Sequence, residues 1–334
     1  LRPGIDQEAP AKGVEVFALP IDRTGLPDYT VIFLTPTEDP VADYQSLIKE
    51  KLPEYDLIIG VDRGIVEASI IAKIQGKPYG LISYEIWFER ETSADFKNKE
   101  REACRDVSFA VCQDRIRSSL LSLENDISPE LIIELPVAAR NYCPVEKNFE
   151  LHDILGISRE DKIALYLGDL ASAWSGIYEI LPHTLSFPAG WHLVLHHRYG
   201  REHLNQIPEI IERENYSNVK LSPYPPLSFD DMPRLLGNAD VGFVHYLPLP
   251  GNITANDNLR FIGMASGKAS TYLQHGVPLL INEIGELSTR VREFHLGEVV
   301  ESFADIPKGL SSLDEVDLSV MQKNCKRFFE HHLS

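Results

Sequence analysis

Apolar residues along this chain fall into short continuous runs, separated by stretches in which they recur every three or four positions. The runs predict strands buried on both faces, and the spaced stretches predict amphipathic helices. Strands are expected at Val14–Leu19, Tyr29–Leu34, Asp56–Val61, Tyr79–Tyr84, Val107–Cys112 and Ile132–Leu135. Helices fit between them at Val41–Leu52, Glu67–Gln75, Asn98–Cys104 and Arg115–Leu123. Pro136–Pro144 reads as a connector, and then the alternation restarts. Strands follow at Lys162–Gly168, Trp191–His196, Val219–Ser222 and Ala239–Val244, with a late edge strand at Val299–Glu301. Helices are expected at Gly176–Leu185, Glu202–Arg213, Phe229–Leu236 (capped by Ser228), Glu286–Phe294 and Leu318–His332. Two such halves predict an α/β protein of two doubly wound domains, residues 1–137 and 138–334, facing a cleft. In open parallel sheets ligands bind beyond the carboxyl ends of the strands, so the cleft is the expected site.

The segment Ser266 to Ile281 carries the most chemistry. It reads as a short helix stopped by Gly276, a tight turn through Pro278 and a buried strand. Ser266 suits the helix cap and Gly276 the left-handed position past its end. Ala269, Tyr272 and Leu273 share one face with Gly276. A helix start with Ser266, Gly267 and Lys268 offers free N–H groups beside a cation, which suits a diphosphate.

The formal net charge of −18 disfavours nucleic acid and anionic membranes as general partners, though not a local cationic pocket. No apolar run is long enough to span a bilayer and no signal-peptide pattern is present; peripheral membrane contact stays open. Cys104, Cys112, Cys143 and Cys325 form no CxxC pair and no metal spacing, so free thiols in a reducing cytoplasm and no metal site are expected. The polar, turn-rich opening Leu1–Lys12 suggests a strand and loop missing before it.

The second half resembles the nucleotide-sugar glycosyltransferases of the two-Rossmann (GT-B) architecture, closest to the family 4 type. The matching pieces are Leu155-Gly156-Ile157, Ile163 to Gly168, Trp191 to Leu195, Val219-Lys220-Leu221, Leu235 to Gly242, and Ser266 through Ile281. The first half is similar only loosely, through Asp56 to Asp62 and Lys77-Pro78. The resemblance implies a retaining, metal-independent sugar transfer from a nucleotide-diphosphate sugar to a glycan, lipid-linked or small-molecule acceptor. It needs no further cofactor, and the last helix (318–332) is expected to pack back on the first domain. Three positions depart from the family pattern. Asp169 stands where many members carry arginine, Ser175-Gly176 where they carry lysine-glycine, and Thr271 where they carry the ribose-binding glutamate. Arg198 and Lys268 must take over the diphosphate, or activity is lost.

Donor-binding candidates are therefore Gly168, Asp169, Arg198, Asn256, Ser266, Gly267, Lys268, Thr271 and Tyr272. Gly168 allows close backbone approach, and arginine can bind a diphosphate bidentately. Asp169 either caps its turn or holds a sugar hydroxyl. The polar loop Gly251–Asn258 is placed to read the donor sugar, and Glu283 or Glu286 to touch the ribose. Asp62 and Glu85, at successive strand ends of the first half, are the acid–base candidates on the acceptor side, with helix capping as the plainer role. Glu85 to Arg90 could form an aromatic acceptor platform. Gly263 to Lys268 only mimics a P-loop, because Ala269 stands where Ser or Thr should bind magnesium. No GxGxxG follows a strand, which disfavours a nicotinamide enzyme. The rival readings are an epimerase on the same scaffold and an inactive glycosyltransferase-like partner subunit.

Overall fold

A computed structural model describes residues 14–17, 31–34, 56–138 and 141–333. The expected helix Val41–Leu52 lies outside them. Within the first half, β1 (Val14–Phe17) and β2 (Val31–Leu34) pair with each other antiparallel, Val14 opposite Leu34. This corrects the expectation that both join a parallel sheet: two runs of apolar residues do not by themselves say which partner or direction each takes.

The parallel sheet of the first half contains β3 (Ile58–Val61), β4 (Tyr79–Ile82), β5 (Phe109–Cys112) and β6 (Ile132–Glu134), in sequence order. Right-handed crossovers between consecutive neighbours put the helices Ile65–Gln75, Ala94–Cys104 and Arg115–Asn125 on one face. Ile65, Ala72, Leu81, Ala103, Ala110 and Leu121 close the core beneath them. The Ala94 helix begins a turn earlier than expected because the Ser93 hydroxyl accepts from Phe96 N–H.

The second half forms a six-stranded parallel sheet: β7 (Lys162–Gly168), β8 (Trp191–His197), β9 (Val219–Leu221), β10 (Val241–Val244), β11 (Leu279–Asn282) and β12 (Gly297–Val300). Their spatial order is β12-β11-β10-β7-β8-β9, the doubly wound dinucleotide-fold order. It reverses between β7 and β10, and cores fill both faces. Prolines shorten several expected helices. The Gly176–Leu185 helix is only Ile177–Ile180 before a 3-10 stretch containing Pro182, and the Glu202 helix starts at Ile207 with Pro208 in its first turn.

The last helix, Leu318–Phe328, continues as a π-helical turn, Phe329–Leu333. Its buried Cys325, Phe328, Phe329 and Leu333 join the core containing Leu273, Val291 and Leu296 of the second domain. Among the described residues its apolar stripe packs on the Gly267–Gln274 and Glu286–Phe294 helices of the second domain. Cys104, Cys112, Cys143 and Cys325 are all free thiols. No helix among the described residues is long and apolar enough to cross a membrane.

Candidate functional site

The helix Gly267–Gln274 starts as its sequence predicts. Ser266 is extended, and its hydroxyl accepts from Ala269 N–H (3.2 Å) and bonds Tyr246 OH (2.9 Å). The N–H groups of Gly267 and Lys268 have no partner within the helix. Past the other end, Gly276 takes the left-handed conformation (φ 73°). Thr271 donates its hydroxyl back to Gly267 O (2.8 Å). Tyr272 is 0% exposed; its hydroxyl donates to Leu165 O (2.5 Å) and accepts from Leu167 N–H (3.0 Å). Tyr272 therefore stitches the helix to β7 and forms the floor of the site, out of reach of a ligand. The connector closes one flank, with Val137 N–H donating to Met264 O (3.0 Å). Between Val137, Met264, Ser266, Ala269 and Leu333 a void of about 10 Å³ remains, the room of a single water. Gly267 is exposed on the open side.

The Lys268 side chain runs from this helix to the ends of the central strands. Its Nζ lies 4.1 Å from the Tyr166 ring centroid on β7 and 4.7 Å from that of Tyr246, just past β10. Its Cε would stand 3.4 Å from a Cβ at Gly168, whose φ of 137° only glycine adopts freely. The ammonium thus occupies the crevice where the strand order reverses. No acidic side chain among the described residues pairs with it, and loss of water lowers its pKa to about 7. His245, beside it, is fully buried with neither ring nitrogen hydrogen-bonded, and burial, followed by the Lys268 charge, pushes its pKa well down. Trp174 stacks on Tyr246 across the opening (5.9 Å).

Arg198 stands at the end of β8, its N–H donating to Gly168 O (3.0 Å) and its exposed guanidinium 4.4 Å above the Tyr199 ring. Asp169 accepts from Ser172 Oγ (2.6 Å), the turn-forming role expected of it. His196 and His197 are both buried, His196 against Ser222 Oγ (3.1 Å) and His197 beneath Gly168. Burial holds His196 neutral, its pKa lowered to about 4.

Across the cleft, Asp62 and Glu85 come together at the ends of β3 and β4. Asp62 has φ 48° in its strand-end turn, and its Oδ1 accepts from Tyr84 N–H (2.6 Å) and Glu85 N–H (2.8 Å). It caps the neighbouring strand's loop rather than a helix. Burial raises the Asp62 carboxyl, and raises Glu85 to about 7. The Glu85 carboxylate makes no hydrogen bond among the described residues. Arg117, 1% exposed, stands beside both.

The two domains are joined by hydrogen bonds. Ile86 and Asn258 exchange a reciprocal pair, each 2.8 Å. Arg90 Nε donates to Asp257 Oδ2 (2.5 Å), and Asn256 Nδ2 donates to Glu91, leaving Asn256 Oδ1 buried and unpartnered. Met264 N–H donates to Asp114 Oδ2 (2.9 Å), and Ile116 N–H donates to Glu286 Oε2 (3.3 Å). Glu286 is thereby a contact between domains, while Glu283 pairs with Arg292 (2.6 Å). Sequence reasoning missed Arg117, Asp114, Glu91 and Asp257. One signal was available: Arg117, Leu121 and Asn125 recur every fourth residue on the buried face of their helix.

Two α/β domains meeting at the carboxyl ends of parallel strands, one of them in dinucleotide-fold order, define the GT-B fold. Residues 261–332 match the family model described as glucosyltransferase 3-like, C-terminal domain. No curated protein matches the sequence. Among solved structures the chain is similar to a glycosyltransferase from Rickettsia africae, with 13% identity over 90% of this chain and 80% of that one (TM-score 0.69). It is similar to Anabaena HepE, solved in complex with UDP-glucose, with 15% identity over 86% and 76% (TM-score 0.62). The corresponding values for sucrose-phosphate synthase from Thermosynechococcus elongatus are 12%, 87%, 72% and 0.60.

Proposed function

We propose that the protein is a glycosyltransferase that moves a hexosyl group from a nucleotide-diphosphate sugar to a hydroxyl on a glycan, a lipid-linked saccharide or a small molecule. The observation that carries this reading is the Lys268 ammonium, paired with no acid among the described residues, at the reversal point between β7 and β10. A desolvated cation beside free helix N–H groups attracts a diphosphate and stabilises the charge that grows on it as it leaves. Residues 138–334 serve as the nucleotide-sugar domain and residues 1–137 as the acceptor side. Gly168 lets the diphosphate approach, Arg198 supplies a second cation from the mouth of β8, and Asn256 faces the sugar, while Asp169 holds the turn after β7. UDP-glucose is the first donor to try, because it is the molecule held by HepE.

In the transfer, the bond from the sugar's anomeric carbon to the diphosphate breaks and its electron pair leaves with the phosphate. The acceptor oxygen bonds that carbon, and Glu85 takes its proton. Glu85 suits this task because a base near pH 7 is available without being too weak. The family 4 likeness makes retention of configuration the expected outcome, with no metal required. Retention demands that the acceptor oxygen attack from the face the diphosphate leaves, so Glu85 must reach the hydroxyl on that face.

A second reading is favoured by one observation: Asp169, Ser175 and Thr271 are each committed to bonds within the second domain. It makes the chain a binding subunit that takes nucleotide sugars without turning them over. Calorimetry and product analysis with UDP- and GDP-sugars, with and without an acceptor panel, separate the readings. Binding with acceptor-dependent transfer is expected. Binding without transfer favours the subunit, turnover without acceptor favours an epimerase or hydrolase, and absence of nucleotide binding overturns the proposal.

A further inference from the structure

We infer that Arg117 is the positioning residue for Glu85, and that the second domain helps to hold it in that role through the carbonyl of Phe261. The inference rests on the reading of Glu85 as the proton acceptor. Arg117 uses each part of its guanidinium on a neutral acceptor. Nε donates to Gln113 Oε1 (2.8 Å), Nη2 to Tyr84 O (2.5 Å) and Nη1 to Phe261 O (3.1 Å). Only the last belongs to the second domain, so the fork is complete only when the domains are in contact.

Around this fork the backbone leading to Glu85 has little freedom. Gln113 Nε2 donates to Ser83 O (2.8 Å), and Ser83 N–H donates to Val111 O (2.9 Å). Asp62 takes the N–H groups of Tyr84 and Glu85, and Ser83 Oγ donates to Glu85 O (3.1 Å). Every polar backbone group from Ser83 to Glu85 is therefore tied, and the carboxylate of Glu85 is the group left over. Such a support shell is what a carboxylate needs to meet an acceptor hydroxyl at fixed geometry.

Charge follows the same arrangement. An unpaired buried guanidinium is costly, and its retention calls for a reason beyond packing. The charged groups facing Glu85 are Asp62 from the β3 turn and Arg117 from its helix. Those facing Arg117 are Asp114, Glu85 and Asp62 together with the Cys112 thiol, with Glu286 of the second domain facing Asp114. Burial and Asp62 drive the Glu85 proton on, and Arg117 drives it off. Loss of Arg117 therefore raises the Glu85 carboxyl further.

The test is a titration of the Glu85 carboxyl carbon by NMR, assigned by its loss in Glu85→Gln and run on the full chain. In Arg117→Gln the midpoint is expected to rise by about one pH unit, the low end for losing a neighbouring opposite charge. Arg117→Lys keeps the charge but cannot grip both carbonyls. Its midpoint should stay within a few tenths of wild type, while kcat drops about tenfold with the donor KM unchanged. An unmoved midpoint in Arg117→Gln overturns the inference. If that variant does not fold, wild-type kcat in Arg117→Lys overturns it instead. Wild-type protein that binds no nucleotide sugar fails the functional reading alone, because the midpoint shift is read without turnover.

Discussion

Each domain holds, at its side of the cleft, a charged group pushed toward neutrality by the same force, and the two groups are of opposite sign. In the first domain Glu85 is raised from 4.5 to about 7; in the second Lys268 is lowered from 10.5 to about 7. Removal of water is the largest cause for both. What differs is how each sheet makes room for its group. The six-stranded sheet reverses its order, so the crevice between β7 and β10 exists before any side chain is placed. The described four-stranded sheet runs in order and has no such crevice. Its charged cluster is assembled from strand-end loops and one helix, by Asp62, Arg117 and Gln113. A topological site needs one residue to declare it. An assembled site needs several, drawn from distant parts of the chain.

The largest effect that would break this comparison comes from Glu85→Gln. Transfer is expected to fall by about 10²–10⁴-fold, the usual contribution of a general base, with nucleotide binding unchanged. The same variant should melt higher than wild type above pH 7. A raised folded pKa means that the folded chain keeps its proton longer than the unfolded one, so this carboxylate costs stability as pH climbs from 4.5 through about 7. Below that window the two proteins should melt alike. Unaltered turnover would remove Glu85 from the chemistry.

Next in size is Lys268→Ala. Affinity for a nucleoside diphosphate should weaken by about 1–3 kcal/mol, the range for a charged hydrogen-bond partner. Calorimetry on variant and wild type checks this, and equal affinity in a folded variant would take Lys268 out of the site. The pH profile then tests both domains together. Transfer needs Glu85 without its proton and Lys268 with one, so kcat/KM should rise and fall around pH 7, about tenfold per unit on either side. Binding of the diphosphate alone should show only the fall at higher pH, because it needs Lys268 and not Glu85.

The contrast between the domains also explains what was legible in the sequence. The apolar strands of the second sheet, the Ser266 cap and the Gly276 stop follow from local rules, and they stand where those rules put them. Lys268 could be picked as a cation at a helix start, but its course between Tyr166 and Tyr246 depends on which strands are neighbours. Tyr272 is a donor-binding candidate in the sequence; the nearness of the β7 backbone, which claims its hydroxyl, is not written locally. Contacts across the cleft, such as Ile86 with Asn258 or Arg90 with Asp257, join residues far apart in the chain, and no periodicity reports them. The direction of the β1–β2 pairing was hidden for the same reason.

The smallest effect sharpens the comparison at the position where the family pattern is broken. Asp169 follows β7 immediately and holds Ser172 by a single hydrogen bond (2.6 Å). A carboxylate there opposes a diphosphate beside Gly168, while Lys268 attracts it. Asp169→Arg reverses that charge at the place where the resemblance expects arginine. The site is partly exposed, so screening limits the gain to about 0.5–1 kcal/mol, or a few-fold tighter diphosphate binding. The gain should shrink as salt is added, and it should survive in a Glu85→Gln background because the two groups belong to different domains. Weaker binding in Asp169→Arg, with its fold intact, would mean that Asp169 meets a donor of hydrogen bonds such as a sugar hydroxyl. The phosphates would then lie farther along the crevice, nearer to Arg198.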